Sequence, residues 1–118
     1  MPRDPRSFLP LKPVDLHVLL ALADEERHGY GLVQEINERT GGLVSLDPGN
    51  LYRVIKRLVD DGLVAEADHR AAPDLGNERR RYYRMTGLGG RVLGAELQRL
   101  QTFVASPAVR AVARRFAT

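Results

Sequence analysis

The sequence contains no cysteine and no tryptophan in its 118 residues. Without a thiol, disulfides, thiol catalysis and zinc–thiolate sites are excluded together. The three histidines, His17, His28 and His69, are scattered, and no pair of them has the spacing of metal ligands. No aspartate or glutamate accompanies them in a recognisable acid–base arrangement. We therefore expect no catalytic residue, no metal and no cofactor.

Long hydrophobic runs are also missing. No apolar run approaches the ~18–20 residues that a helix needs to cross a bilayer, and no signal peptide begins the sequence. We expect no membrane partner and a cytoplasmic location. The length of 118 residues suits one domain. Residues 1–13, which are interrupted by prolines and mixed in charge, are predicted to form an N-terminal arm.

Charge is nearly balanced, with a net charge of only +3 from 18 basic and 15 acidic residues. Its distribution is more informative. Residues 1–60 hold eight lysines and arginines against nine acidic residues, whereas residues 61–118 hold ten against six. Four of these arginines lie close together: Arg79, Arg80, Arg81 and Arg84. A local basic cluster is typical of a surface that meets the phosphates of nucleic acid.

Residues 47–64 predict a helix with both of its ends marked. Asp47 is a good N-cap, and Pro48 suits the first helical position, where its missing N–H costs nothing. Three- and four-residue spacing predicts one buried stripe: Leu51, Val54, Ile55, Leu58 and Val59. Amide and cationic side chains fall outside that stripe: Asn50, Arg53, Lys56 and Arg57. Gly62 follows as a helix stop. Such a helix suits the DNA major groove, and the solvated face of an ordinary amphipathic helix is the alternative.

Two further helices are predicted before this one and two strands after it. Apolar spacing indicates helices near residues 14–22 and 28–42, and alternation indicates strands at 63–68 and 80–85 around a polar loop. The order helix, helix, helix, strand, loop, strand is that of a winged helix-turn-helix. We therefore predict a mainly α (α+β) fold, with the winged helix-turn-helix domain over residues 14–86.

A fourth helix is predicted after Thr86, which suits its N-cap. Its apolar stripe has heptad-like spacing: Leu88, Val92, Leu93, Leu97, Leu100 and Val104. We expect residues 87–118 to pair two copies of the chain, and folding back on the first helix is the alternative. Gly90 and Gly94 each cost ~1 kcal/mol in a helix, which is easier to understand if two backbones approach closely there.

Ser106-Pro107 predicts the start of one more short helix. Phe103 and Phe116 lie on either side of this point. We expect both rings to pack in a core, and an apolar pocket for a small-molecule effector is the alternative. The sequence does not identify an effector.

Four short motifs in this order resemble the PadR family of winged-helix transcriptional regulators. They are His28-Gly29-Tyr30, Pro48-Gly49-Asn50-Leu51-Tyr52, Tyr82-Tyr83 and Thr86-Gly87-Leu88-Gly89. The resemblance covers roughly residues 14–100. It implies a sequence-specific regulator of double-stranded DNA, acting as a homodimeric repressor on a palindromic operator. A winged helix that binds protein and not DNA is the alternative function.

The resemblance also implies roles for particular residues. Gly29 and Tyr30 would present backbone N–H groups to a phosphate. For Tyr30, packing in the core is an equal alternative. Tyr52 would contact a phosphate or sugar, with a structural role as the alternative. Gly49 would allow close approach of DNA or merely ease the turn. Lys56 and Arg57 are expected on phosphates, and the wing contributes Arg79, Arg80 and Arg81.

Base reading is expected from Asn50 and Arg53, because Asn pairs well with adenine and Arg with guanine. Arg53 departs from the family, in which proline is often its counterpart, so the operator sequence stays open. Some relatives hold flat aromatic drugs between tryptophans at the dimer interface. With no tryptophan, this chain lacks that device.

Overall fold

A computed structural model describes residues 3–67 and 81–117, and in these ranges the chain forms five α-helices and a three-stranded sheet. The elements are a 3-10 turn at Pro5–Phe8, α1 at Pro13–Asp24, β1 at Arg27–His28, α2 at Gly29–Arg39, α3 at Pro48–Asp60, β2 at Val64–Ala67, β3 at Tyr82–Met85, α4 at Gly87–Ala105 and α5 at Pro107–Arg115. The predicted order of helices and strands is confirmed.

The predicted helix starts are confirmed by their capping hydrogen bonds. The Asp47 carboxylate accepts from the backbone N–H of Asn50 at 2.9 Å, which begins α3. The Thr86 hydroxyl accepts from Gly89 N at 2.9 Å and begins α4. Ser106 begins α5 in the same way. Each cap satisfies an N–H group that has no partner within its own helix.

The sheet has the strand order β1-β3-β2, and both pairs are antiparallel. Val64 lies opposite Met85 in the predicted pair. The strand β1 was not predicted, because two residues are too few to show alternation. It pairs Arg27 with Tyr83 and His28 with Tyr82. This pairing attaches His28, the N-cap residue of α2, directly to the wing.

The core lies between α1, α2, α3 and the first half of α4. Its fully buried side chains come from every one of these elements: Val18, Leu19, Leu32, Ile36, Leu51, Leu58, Leu63, Val64 and Val92. The apolar stripe of α3 is narrower than predicted. Leu51, Ile55 and Leu58 are buried, whereas Val59 is exposed. Val59 was wrongly placed, because it lies at the edge of a helix that contacts the core along one side only.

The apolar stripe of α4 is divided between inside and outside. Val92 and Leu93 are buried in the core of their own chain, so the interface that we predicted for them is wrong. Leu88 packs partly against the same core. Farther along, Leu97 and Val104 are exposed and Leu100 is half-buried.

Gly89 brings the backbone of α4 close to the turn between α3 and β2. A Cβ atom there would lie 2.1 Å from the carbonyl oxygen of Leu63. No side chain fits that space, so glycine lets α4 pack against the turn between α3 and β2. At Gly94, by contrast, a Cβ would meet nothing within 4 Å among the described residues.

Phe103 and Phe116 are both exposed, so the prediction that they pack in the core is wrong for the single chain. They lie where α4 and α5 extend beyond the other elements. Across the described ranges, none of the helices combines the length and the apolar character that crossing a bilayer requires.

Candidate nucleic-acid interface

The outer face of α3 is polar and open. Asn50, Tyr52, Arg53 and Lys56 are all exposed, and the opposite side of the helix is sealed into the core. The side chains therefore point where the sequence pattern predicted. An exposed face of this kind on the third helix of a winged helix can lie in a major groove.

These side chains differ in how many hydrogen bonds and ion pairs they make within the protein. The Asn50 amide donates to the second oxygen of Asp47 at 2.9 Å, so its orientation is held by the cap. Lys56 is 3.3 Å from Asp60, an exposed pair that contributes little to stability. Arg53 makes no hydrogen bond or ion pair within residues 3–67 and 81–117. Its five N–H donors are available to a ligand.

Pro48 and Gly49 occupy the exposed first turn of α3. A Cβ at Gly49 would lie 3.3 Å from the capping oxygen of Asp47. Glycine therefore leaves room for the cap as well as for any molecule that approaches this turn.

Arg57 is held by an ion pair with a buried partner, although its own side chain is 40% exposed. Its guanidinium makes two hydrogen bonds to Asp15 of α1, at 2.7 and 2.8 Å, and the Asp15 side chain is only 6% exposed. The hydrogen bonds to Asp15 raise the pKa of Arg57, although partial burial opposes the shift. This pair joins α3 to α1. We therefore remove Arg57 from the expected phosphate contacts, since a phosphate would have to compete with a buried carboxylate.

The first turns of α2 and α3 lie side by side. The Tyr52 ring leans over Gly29, where a Cβ would be only 3.1 Å from the tyrosine hydroxyl. Both tyrosines line a crevice of about 160 Å³ together with Gly29, Val33, Pro48 and Leu51. Tyr30 is 65% exposed and Tyr52 49% exposed, so Tyr30 is not a core residue. Two hydroxyls and two helix N-termini therefore share one patch of surface.

His28 organises this patch and was not predicted as part of the site. Its Nδ1 accepts from Gly31 N at 3.1 Å and caps α2. Its ring stacks on Tyr30 at 6.5 Å between centroids and meets Tyr82 edge-on at 5.5 Å. A histidine directly before a helix start is the signal that could have identified this cap. Because β1 also contains His28, the residue connects α2 to the wing.

The wing is described only along its strands. Arg79 and Arg80 lie outside the described residues. Arg81 is exposed and 3.5 Å from Glu66 on β2. On β3, Tyr83 is buried and Arg84 exposed, so the face with Tyr83 and Met85 packs inward as strand alternation requires.

These elements and contacts define the chain as a winged-helix protein. The exposed face of its third helix, α3, carries basic and amide side chains. The profile of the Transcriptional regulator PadR-like family matches residues 18–95. A curated relative, Transcriptional regulator Rv3488 of Mycobacterium tuberculosis, is 39% identical over 92 residues, covering 75% of this chain and 76% of the relative.

Solved structures show the same fold. The complex structure of hsRosR-S4, of H. salinarum, has a TM-score of 0.70 at 26% identity and covers 95% of this chain and 91% of that chain. Bacillus subtilis PadR in complex with operator DNA has a TM-score of 0.62 at 23% identity, covering 75% of this chain and 48% of that one.

The chain belongs to the PadR-like family of transcriptional regulators. It is a winged-helix transcriptional regulator, a DNA-binding class of protein, and not an enzyme. The resemblance drawn from its four motifs is thereby confirmed.

Proposed function

We propose that the chain is a repressor that binds a palindromic operator as a homodimer, with α3 in the major groove. The exposed, polar face of α3 carries this proposal. A surface that docked protein would offer apolar anchors there. Instead it offers an amide, a guanidinium that has no partner among the described residues, and an ammonium group: Asn50, Arg53 and Lys56.

Phosphate contacts come from the paired helix N-termini. The N-terminus of a helix attracts anions through its free N–H groups and its dipole. Here the N-termini of α2 and α3 adjoin each other under Tyr30 and Tyr52. Lys56 adds a mobile charge one turn farther along α3. We assign Gly29 and both tyrosines to one phosphate patch, and Lys56 to the next phosphate.

Base reading is assigned to Arg53, because its guanidinium is exposed and unpaired within the described ranges. A bidentate contact to guanine discriminates by ~1–3 kcal/mol. Asn50 is held by Asp47 but keeps its carbonyl oxygen and one amide hydrogen free for an adenine edge. The wing arginines Arg79, Arg80 and Arg81 complete the proposed contacts beside the groove.

The dimer is assigned to α4 and α5, which carry exposed apolar side chains on neighbouring turns: Leu97, Phe103, Val104, Val112 and Phe116. Contiguous apolar surface on a small protein marks an interaction site. Gly94 lies three residues before Leu97, hence on the same side of α4, and leaves room for a second backbone. In this proposal residues 1–13 form an arm, 14–86 bind DNA and 87–118 pair the subunits.

A two-fold dimer places its two α3 helices in major grooves about one helical turn, ~34–36 Å, apart. Bound over a promoter in the cytoplasm, it blocks polymerase sterically. Run-off transcription from the promoter upstream of its own gene tests this step. Added protein should reduce the transcript in proportion to operator occupancy, and an increased transcript would show an activator.

Binding titrations separate the roles of the α3 side chains. Duplex DNA from that upstream region and a scrambled duplex are titrated at several salt concentrations. Arg53→Ala should weaken cognate binding about 5- to 100-fold and leave scrambled binding unchanged. Lys56→Ala should weaken both equally and reduce the salt slope by about 0.9, the share of one phosphate.

Arg110→Ala on the exposed face of α5 is the matched control, because it removes the same charge away from α3. It should leave both titrations as in the wild type. An equal loss for the two duplexes with Arg53→Ala would contradict the assignment of base reading.

A further inference from the structure

A groove of about 410 Å³ lies between the N-terminal arm and α4, away from the proposed DNA-binding face. Its lining comes from both elements: Arg6, Leu9, Ala95, Gln98, Arg99 and Thr102. Leu9 and Ala95 supply an apolar floor, and the other four residues supply polar groups around it. Small-molecule sites occupy ~300–1,000 Å³ and combine apolar walls with a few polar groups, so this groove has a suitable size.

The polar groups of the groove have hydrogen-bond donors that no described residue accepts from. Arg99 directs Nε and one terminal nitrogen to Glu96, which leaves its other terminal nitrogen free. The Glu96 side chain itself is only 2% exposed. The side chains of Arg6, Gln98 and Thr102 make no hydrogen bond within the described ranges. Glu96 balances the positive charge of Arg99. The charge of Arg6 therefore leaves the groove cationic.

We propose that this groove binds a small organic anion, a carboxylate or sulfonate with a short aliphatic part. Its anionic group would accept hydrogen bonds from Arg6 and Arg99, and its aliphatic part would cover Leu9 and Ala95. Charge-assisted hydrogen bonds from guanidinium groups suit planar oxyanions. A neutral or cationic molecule of the same shape lacks that attraction.

Within the proposed dimer surface, Leu97 and Val104 lie on the side of α4 opposite to the groove. Residues 95, 98, 99 and 102 follow the spacing i, i+3, i+4, i+7 and share one side of the helix. Leu97 and Val104 share another side, displaced by two residues or about 200° around the axis. A ligand in the groove therefore leaves Leu97 and Val104 uncovered, whereas Phe103 lies between the two sides.

The N-terminal arm connects this groove to the DNA-binding helix. Leu11 N donates to Glu96 on α4 at 2.8 Å. At the other end of the arm, Arg3 donates to the carbonyl of Asp61, the C-cap of α3, at 3.2 Å. A ligand held by Arg6 lies between these two attachments. We infer that its binding shifts the arm and changes operator affinity, a step that rests on the proposed function.

Calorimetry without DNA tests the site alone. Hexanoate should bind the full chain with a measurable Kd, whereas hexanamide and hexylamine should bind at least tenfold more weakly. Arg6→Gln should weaken hexanoate binding about tenfold, because one charge-assisted contact is lost. Arg110→Gln, the matched loss of charge on α5, should leave the Kd unchanged. Equal hexanoate binding by wild type and Arg6→Gln would overturn the site.

Operator titrations with and without hexanoate test the connection. Saturating hexanoate should change the operator Kd of the wild type severalfold. Arg3→Gln should keep the hexanoate Kd but lose this change, while Lys12→Gln, the matched charge in the arm, should keep both. If hexanoate binds and the operator Kd of the wild type stays constant, the connection through the arm is overturned. If no duplex binds, the proposed function fails and calorimetry still decides the site.

Discussion

The two halves of α4 both carry apolar side chains but have different surroundings. In the first half, Val92 and Leu93 are buried beside Gly89, which touches the backbone of Leu63. In the second half, Leu97 and Val104 continue the predicted heptad-like stripe and are exposed. One helix thus begins as part of the domain core and ends as a surface that the described residues of its own chain leave exposed.

The difference teaches that an apolar stripe shows which side of a helix is buried but not what covers it. Within the first half, the alternative that α4 folds back on α1 is correct. Within the second half, a second copy of the chain is the proposed cover. Substitutions in the first half should change the stability of the subunit, and substitutions in the second half should change association.

The largest effect is expected for Gly89→Ala. The added Cβ would lie 2.1 Å from the Leu63 carbonyl oxygen, so the helix or the turn must move. Overpacking of a core commonly lowers the free energy of unfolding by about 1–3 kcal/mol. We expect the upper end of that range here, because a backbone carbonyl cannot turn away as a side chain can. We expect the free energy of unfolding to fall by about 3 kcal/mol in urea denaturation at one fixed protein concentration.

Gly94→Ala is the matched control, because its Cβ meets nothing within 4 Å in the part of the chain described. Alanine is favoured over glycine in a helix by ~1 kcal/mol. Measured at low protein concentration, where the subunits are separate and the proposed contact of Gly94 with a second copy does not contribute, subunit stability should therefore hold or rise. A loss equal to that of Gly89→Ala would remove the contrast between the two halves.

A second, smaller effect separates Leu93 from Leu97. Leu93→Ala should lower the free energy of unfolding by about 2 kcal/mol, because it leaves a cavity in the core. Leu97→Ala should change it by less than about 0.5 kcal/mol at low protein concentration, where subunits are separate. Its effect should instead be a rise of about tenfold in the dimer Kd, measured by sedimentation equilibrium.

Light scattering gives the decisive control for this comparison. Wild type that stays monomeric at micromolar concentration would show that the second half of α4 does not pair two copies. In that case the DNA-binding assignments for α3 would still be tested by the titrations.

The smallest effect concerns Glu96, where the two halves meet. Its hydrogen bond from Arg99 holds the pKa of the carboxyl below its ordinary value of 4.5, assisted by Leu11 N and opposed by burial. A carboxyl whose pKa is lowered on folding stabilises the fold above its unfolded value. That contribution is lost as the pH falls from about 4.5 through the lowered pKa.

Urea midpoints at about pH 5 and below measure this loss. Glu96→Gln should show a shallower fall in midpoint on acidification than the wild type. Glu38→Gln, an exposed carboxylate on α2, should follow the wild-type fall. Equal slopes for Glu96→Gln and wild type would show that the contact between the arm and α4 carries no such pH dependence.

Much of α3 could be predicted because its signals are local. The cap at Asp47, the stop at Gly62 and the buried Leu51, Ile55 and Leu58 depend on neighbours within a few residues. Helix periodicity then placed Arg53 on the open side without any knowledge of the other elements. The same local rules found the caps at Thr86 and Ser106.

The role of Arg57 could not be predicted in this way. Asp15 is 42 positions away in sequence, and nothing in the spacing around Arg57 distinguishes it from the exposed Lys56. The strand β1 was missed for a related reason. A two-residue strand is defined by its partner, Tyr82 and Tyr83 on β3, and not by its own pattern.

Sequence alone determined the helices, their caps, the polar face of α3 and the family, because each depends on residue type at short spacing. The tertiary structure decided which charges stay free, which half of α4 joins the core, and that the N-terminal arm spans from α4 to the end of α3. These depend on contacts between residues far apart in sequence. Such contacts arise only when the elements pack against one another.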